Sequence, residues 1–234
     1  MGRRAALAAL LITAAFIGVR AWIYALHPAI DIDTWTARDA LMNWPRAAAI
    51  AATLAAMAAF GGVSRRNWRG LTSSFLPLAV VGAAQTWGAW HDAGPGDLTA
   101  AQSAAGLWAN LFVVIWEEAC YRGLLYLGLR ERMKPLPAAL LSSAAFMAMH
   151  WQAQPLWSWP RIFFYGVVAC AALEGGTGLL WLMLVHLIVD SAFFLSGGGD
   201  PVLVREAVSY LVSAGVAAWA VGRLSEAKTR TAEA

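Results

Sequence analysis

Glu117 and Glu118 stand side by side in Trp116-Glu117-Glu118-Ala119-Cys120-Tyr121-Arg122, inside a run otherwise suited to hydrocarbon, and His150, His186 and Asp190 occupy two later apolar segments. An ionisable side chain at bilayer depth costs about 3 kcal/mol or more, so such groups face a protein interior or a water-filled cavity and mark function. Spacing sorts them. Glu118 and Arg122 are four residues apart, as are His186 and Asp190, so each pair shares one helix face. Glu117 points about 100° away from Glu118. Glu118 with Arg122 reads as an internal ion pair that fixes helix geometry, which leaves Glu117 without a structural partner. A single intramembrane histidine more often joins two helices by a hydrogen bond. Two histidines beside a spare carboxylate are instead equipment for acid-base work on a water molecule and for stabilising negative charge as it develops.

The elements that must position these groups are helices in a membrane. Of the 234 residues, 60% are hydrophobic and 13% charged, against roughly 25% charged in an ordinary soluble domain. Apolar stretches of about 20 residues, the length that crosses about 30 Å of hydrocarbon, recur along the chain. We read eight, at 5–26, 46–63, 71–91, 103–130, 136–151, 158–173, 177–196 and 202–222. The expectation is an all-α, polytopic membrane protein of about eight transmembrane helices. It forms a single domain over residues 1–234 with its motif-bearing core at about 103–196. The longest connections are 27–45, with Asp31, Asp33 and Asp39, and 92–102, with Pro95 and Gly96.

Helical rise turns sequence into depth, at about 1.5 Å per residue from the nearest cytoplasmic end. Measured from Arg130, Glu117 lies at roughly 20 Å, Glu118 at roughly 18 Å and Arg122 at roughly 12 Å. His150 lies roughly 21 Å from Leu136, and from Thr177 His186 is at roughly 14 Å and Asp190 at roughly 20 Å. Three separate helices therefore deliver ionisable groups to one layer.

Charge gives an orientation. With the N-terminus inside, the inner side holds Arg3, Arg4, Arg65, Arg66, Arg69, Arg130, Arg132, Lys134, Arg223, Lys228 and Arg230, and the outer side Arg38, Arg46, Arg161 and Arg205. Eleven against four follows the positive-inside rule, and an even number of spans puts both termini in the cytoplasm of a multi-pass cell-membrane protein. The basic residues are scattered over short loops and form no single face, so no nucleic-acid partner is expected. Gly2-Arg3-Arg4 before an apolar run has the start of a secretory signal, but Arg20 interrupts the run, no small-x-small site follows, and the segment is long enough to span. Cys120 and Cys170 fall within spans and imply no disulfide framework. Trp44, Trp68, Trp90, Trp151, Trp157 and Trp159 lie near span ends, where amphipathic rings settle. His27 and His91, at outer span ends, carry no assignment. Arg20 reads as a snorkelling or pairing residue, and Glu174 as part of a tight inner turn.

At the ionisable residues the sequence resembles the intramembrane endopeptidases grouped as CAAX proteases and bacteriocin-processing enzymes, the CPBP or Abi family. The family's Glu-Glu-x-x-x-Arg is matched by Glu117 to Arg122, its Phe-x-x-x-His by Phe146 to His150, and its His-x-x-x-Asn/Asp by His186 to Asp190. The resemblance covers roughly residues 110–195. It implies an all-helical membrane core with a polar cavity and cleavage of a peptide bond close to the membrane, in a membrane-anchored or lipidated protein. By the same resemblance Glu117 with His150 would activate the attacking water, Glu118 would pair with Arg122, and His186 with Asp190 would stabilise the oxyanion. Some relatives carry asparagine where this chain has Asp190. An ionised carboxylate cannot donate to an oxyanion, so Asp190 is either protonated, or orients His186, or binds a metal.

A metal-free glutamate mechanism is favoured, with no cofactor. The alternative is a zinc-dependent version of the same protease, with Glu117, His150, His186 and Asp190 as the His/carboxylate set. The chain has no His-Glu-x-x-His and no Gly-x-Ser-Gly. Cys120 with His150 as a nucleophile pair would leave Glu117 without a role. Two further classes use the same residue types: a proton-coupled transporter, for which no inverted repeat is evident, and a non-catalytic membrane scaffold for a lipidated peptide.

Overall fold

The computed structural model describes residues 2–26, 32–60, 68–89, 99–152, 154, 156–195 and 203–227, without the side chains of 32–40 and 152. His27, Asp31, Arg65, Arg66, Trp90, His91, Pro95, Gly96, Lys228 and Arg230 lie outside the described residues, as do the side chains of Asp33, Arg38 and Asp39. Among the described residues there is no strand. The helices are α1 (Gly2–Leu26), α2 (Ile32–Ala59), α3 (Phe75–Ala89), α4, α5 (Pro135–Met149), α6 (Trp159–Glu174), α7 (Leu179–Leu195) and α8 (Leu203–Glu226). α4 is α-helical over Ala100–Glu117, π-helical over Glu118–Tyr126 and α-helical again over Leu127–Arg130.

α1, α8 and the stretch Leu156–Glu174 are long and apolar enough to cross a membrane, and Pro135–Met149 and Leu179–Leu195 are apolar but shorter. Two boundaries differ from the hydropathy reading. α2 starts at Ile32, within the expected connection, with Pro45 inside it. A proline removes one ladder bond, and neighbouring groups in a membrane helix can satisfy what it frees. α5 stops at Met149, and His150 opens a short 3₁₀ turn at φ −81°, ψ −1°. The start of α4 is fixed by a capping box in which the Thr99 hydroxyl accepts from the Gln102 amide and the Gln102 side chain accepts from that of Thr99.

The π-helical segment is the axis of the molecule. All nine of its residues are buried, and it packs against α1, α2, α5, α6 and α7. Wide π turns are rare and occur mostly at functional sites. The Ser142 hydroxyl donates to the Tyr121 carbonyl at 2.7 Å, anchoring this segment to α5. α5 meets α6 through small residues. A Cβ on Gly166 would lie 2.8 Å from Ser143 Oγ, so the backbones approach as closely as glycine allows. The turn expected around Glu174 is present, with Gly176 at φ 95°, a left-handed conformation suited to glycine. Its Glu174 does more than turn the chain. It accepts from Arg130 Nε at 3.0 Å, from Arg130 Nη2 at 2.9 Å and from the Tyr126 hydroxyl at 2.9 Å, tying α4 to α6.

Candidate active site

Glu117 is the last α-helical residue of α4 and Glu118 the first of the π segment, so the change of helix type falls between the two carboxylates. Both are buried, at 4% and 0% exposure. Their surroundings differ completely.

Glu118 faces inward into a web of donors. His186 Nδ1 lies 2.8 Å from its Oε1, Arg122 Nε lies 3.4 Å from its Oε2, and the Tyr165 hydroxyl reaches Oε1 at 3.5 Å while also donating to the Leu182 carbonyl at 3.2 Å. The expected Glu118–Arg122 pair therefore exists, but Glu118 also holds His186, a bond that spacing along α4 could not reveal. Phe146 fills the centre. Its ring sits 4.0 Å from the Arg122 guanidinium carbon, and its centroid lies 4.8 Å from that of His150 and 5.9 Å from that of His186. Phe146 and Tyr165 together give Arg122 aromatic faces in place of hydrogen bonds, a favourable arrangement for a desolvated guanidinium.

Glu117 faces a cavity. Among the described residues its Oε2 has no hydrogen-bond partner, and it stands 3.7 Å from His186 Nε2 and 4.0 Å from His150 Nε2. Both gaps exceed a direct hydrogen bond and suit a bridging water. His150 Nδ1 lies 2.8 Å from the Phe146 carbonyl, an acceptor, so that nitrogen carries the proton and Nε2 presents a lone pair to the gap. Asp190, whose side chain is 28% exposed, places Oδ1 3.5 Å from His186 Nε2. The predicted residues Glu117, His150, His186 and Asp190 thus meet, with Glu118 and Arg122 behind them.

The cavity, of about 380 Å³, is lined on one side by Glu117, His150 and Asp190. A smaller one of about 50 Å³ continues past His186, Tyr165 and Arg161. Among the described residues no group of three or more His, Cys, Asp or Glu side chains is placed to hold a metal ion. Cys120 is buried on the α1 side of α4, with Sγ 3.7 Å from the Ala9 carbonyl and 3.8 Å from the Thr13 hydroxyl, where it behaves as a small apolar residue.

Residues 99–192 match a family model, described as type II CAAX prenyl endopeptidase Rce1-like. The resemblance to the CPBP endopeptidases holds. No curated protein and no solved structure matches the chain. The matched stretch starts at the Thr99 cap of α4 and ends two residues past Asp190, so it contains all three motifs and every group named above around Glu117. It supports an intramembrane peptidase of the CAAX type acting on a membrane-associated protein.

Sequence reasoning missed three things here. Tyr165 gives no signal, being one aromatic among many in an apolar helix. Phe146 is visible only as a motif letter. Of the two readings of Arg20, snorkelling or pairing, its place goes against the first: the residue is 6% exposed, lines the 380 Å³ cavity and has its guanidinium carbon 5.2 Å from the centre of the Tyr24 ring.

Proposed function

We propose that the chain is an intramembrane endopeptidase that hydrolyses a peptide bond of a membrane-anchored or lipidated protein with a water activated by Glu117 and His150. The observation that carries this reading is the buried Glu117 Oε2, without a hydrogen-bond partner among the described residues, 4.0 Å from His150 Nε2, so that one water beside the pair can hydrogen-bond to both. That water donates one proton to Glu117, and its oxygen attacks the substrate carbonyl carbon. As an imidazolium, His186 donates from Nδ1 to Glu118 and from Nε2 to the oxyanion. Collapse of the tetrahedral intermediate breaks the C–N bond, and the proton on Glu117 passes to the leaving amine. Asp190 cannot donate when ionised, and its 3.5 Å approach to Nε2 gives it the task of steering that N–H. Arg122 balances Glu118 and touches no substrate. The protein sits in the cell membrane with both termini in the cytoplasm, and its substrates are peptides carried by lipid or by a membrane helix.

Comparing the membrane-anchored proteome of cells expressing the wild type with that of cells expressing Glu117→Ala tests this. C-terminal or internal cleavage products present only with the wild type are expected, at equal amounts of inserted protein. Identical product sets would favour the scaffold reading.

A further inference from the structure

The smaller cavity beside His186 has no task in the proposed chemistry. It measures about 50 Å³, and its polar walls are Gln85 of α3, Arg161 and Tyr165 of α6, and His186 and Asp190 of α7. It shares His150, Gln154 and Asp190 with the large cavity, whereas Gln85, Arg161, Tyr165 and His186 border the small one only. An apolar void of this size would stay dry; with these partners it has room for about three waters and the hydrogen-bonding groups to keep them. Two of the polar walls are anchored from outside the cavity. Arg161 is buried, with Nη1 3.4 Å from Glu206 Oε1 of α8 and its guanidinium carbon 4.1 Å from the centre of the Phe193 ring. Gln85, also buried, donates from Nε2 to the Arg161 carbonyl at 3.3 Å and to Ser213 Oγ at 3.5 Å. Polar groups of this kind inside a membrane are costly and mark a water-filled space or a pathway. An ion pair that only pinned α6 to α8 would not need Gln85 from α3 beside it.

We propose that this small chamber stores hydrolytic water and supplies it to Glu117 and His150 while a substrate fills the large cavity. The proposal rests on the endopeptidase reading and deepens it, because it names where the second reactant waits. Each turnover consumes one water, and the hydrocarbon around the helices holds none to replace it. A lipidated peptide seated in the 380 Å³ cavity displaces the water there, whereas a space of 50 Å³ is too small for a peptide and keeps its water through the cycle. His150 and Asp190 border both spaces, so a water leaving Gln85 and Arg161 reaches the Glu117–His150 pair past Asp190 without crossing the space the peptide occupies. Gln85 and Arg161 are then water-holding residues that touch no peptide.

Hydroxyl-radical footprinting in zwitterionic nanodiscs tests this, because a buried side chain is oxidised where water lies against it. The protein is the Glu117→Gln variant, with and without a saturating prenylated-cysteine tetrapeptide. Tyr165, in the chamber wall, should label well above Tyr121, which is fully buried and lines neither cavity. Addition of the peptide should leave the Tyr165 rate unchanged, while Val113 of the large cavity loses most of its labelling. With Glu117 intact, Gln85→Leu removes a polar wall and Ile162→Phe fills the chamber, and each should lower turnover roughly tenfold with KM within about twofold, since peptide binding is untouched. Tyr165 labelling no faster than that of Tyr121, Tyr165 labelling lost together with that of Val113, or full turnover in either folded variant overturns the chamber and leaves the endopeptidase reading standing. Labelling of Val113 and Tyr165 alike unchanged by the peptide shows that the large cavity takes no substrate, and sinks the endopeptidase reading on which the chamber depends.

Discussion

The two faces of the α-to-π junction in α4 make opposite use of the same side chain. On the inner face Glu118 is surrounded by His186, Arg122 and Tyr165, whereas on the outer face Glu117 meets two imidazoles only at 3.7 and 4.0 Å. Glu118 is held through Oε1 by His186 and Tyr165 and through Oε2 only by the 3.4 Å ion pair with Arg122, whereas among the described residues Glu117 Oε2 has no hydrogen-bond partner and it stands at the cavity, where reactants arrive. Low local dielectric strengthens the Glu118–His186 bond and the Glu118–Arg122 ion pair and raises the cost of leaving Glu117 Oε2 unpaired. Consecutive helical residues already point about 100° apart, and the wider π turn that begins at Glu118 sets where the residues after it, Arg122 among them, face.

This division of labour is testable by breaking each face in turn. Glu118→Gln should have the largest effect outside the water-activating pair. It removes the charge opposite Arg122 and the anchor of His186, so turnover should fall about 100-fold, and stability should drop by about 3–5 kcal/mol because Arg122 stays buried without its partner. A purified variant as stable as the wild type would show that Glu118 is not the structural half of the pair. Tyr165→Phe deletes one long hydrogen bond to Glu118 and frees the Leu182 carbonyl, and a loss of about 1 kcal/mol is expected in thermal unfolding with turnover reduced only a few-fold. A loss as large as that of Glu118→Gln would move Tyr165 to the reacting face. The smallest effect is expected from metal chelation: dialysis against a strong chelator should leave cleavage unchanged within twofold. Inactivation reversed by zinc would convert Glu117, His150, His186 and Asp190 into ligands and replace the glutamate mechanism.

The layer at which Glu117, His150, His186 and Asp190 meet was legible in the sequence, because helical rise is constant and each residue's distance from a helix end could be counted. Rotation about the helix axis was not. Arg20 sits in α1, a helix apolar nearly all round, where hydropathy does not say which face turns inward, and so its place in the cavity could only come from packing. The π segment was equally hidden, since Glu118–Tyr126 contains nothing that local propensity distinguishes from α-helix. Tyr165 acquires its role from a partner 47 residues away, beyond any spacing rule. The early start of α2 was obscured by Pro45, Asp33 and Asp39, whose loop signals the helix overrides.

A double-mutant cycle over Glu117→Gln and His150→Gln, with cleavage followed in nanodiscs, tests most directly whether these two groups work as one base on one water. Each single change should reduce turnover about a thousandfold with KM within about twofold of the wild type, and the double variant should be no slower than either. Losses that multiply, or a Glu117→Gln protein that still cleaves at near wild-type rate, would contradict the account.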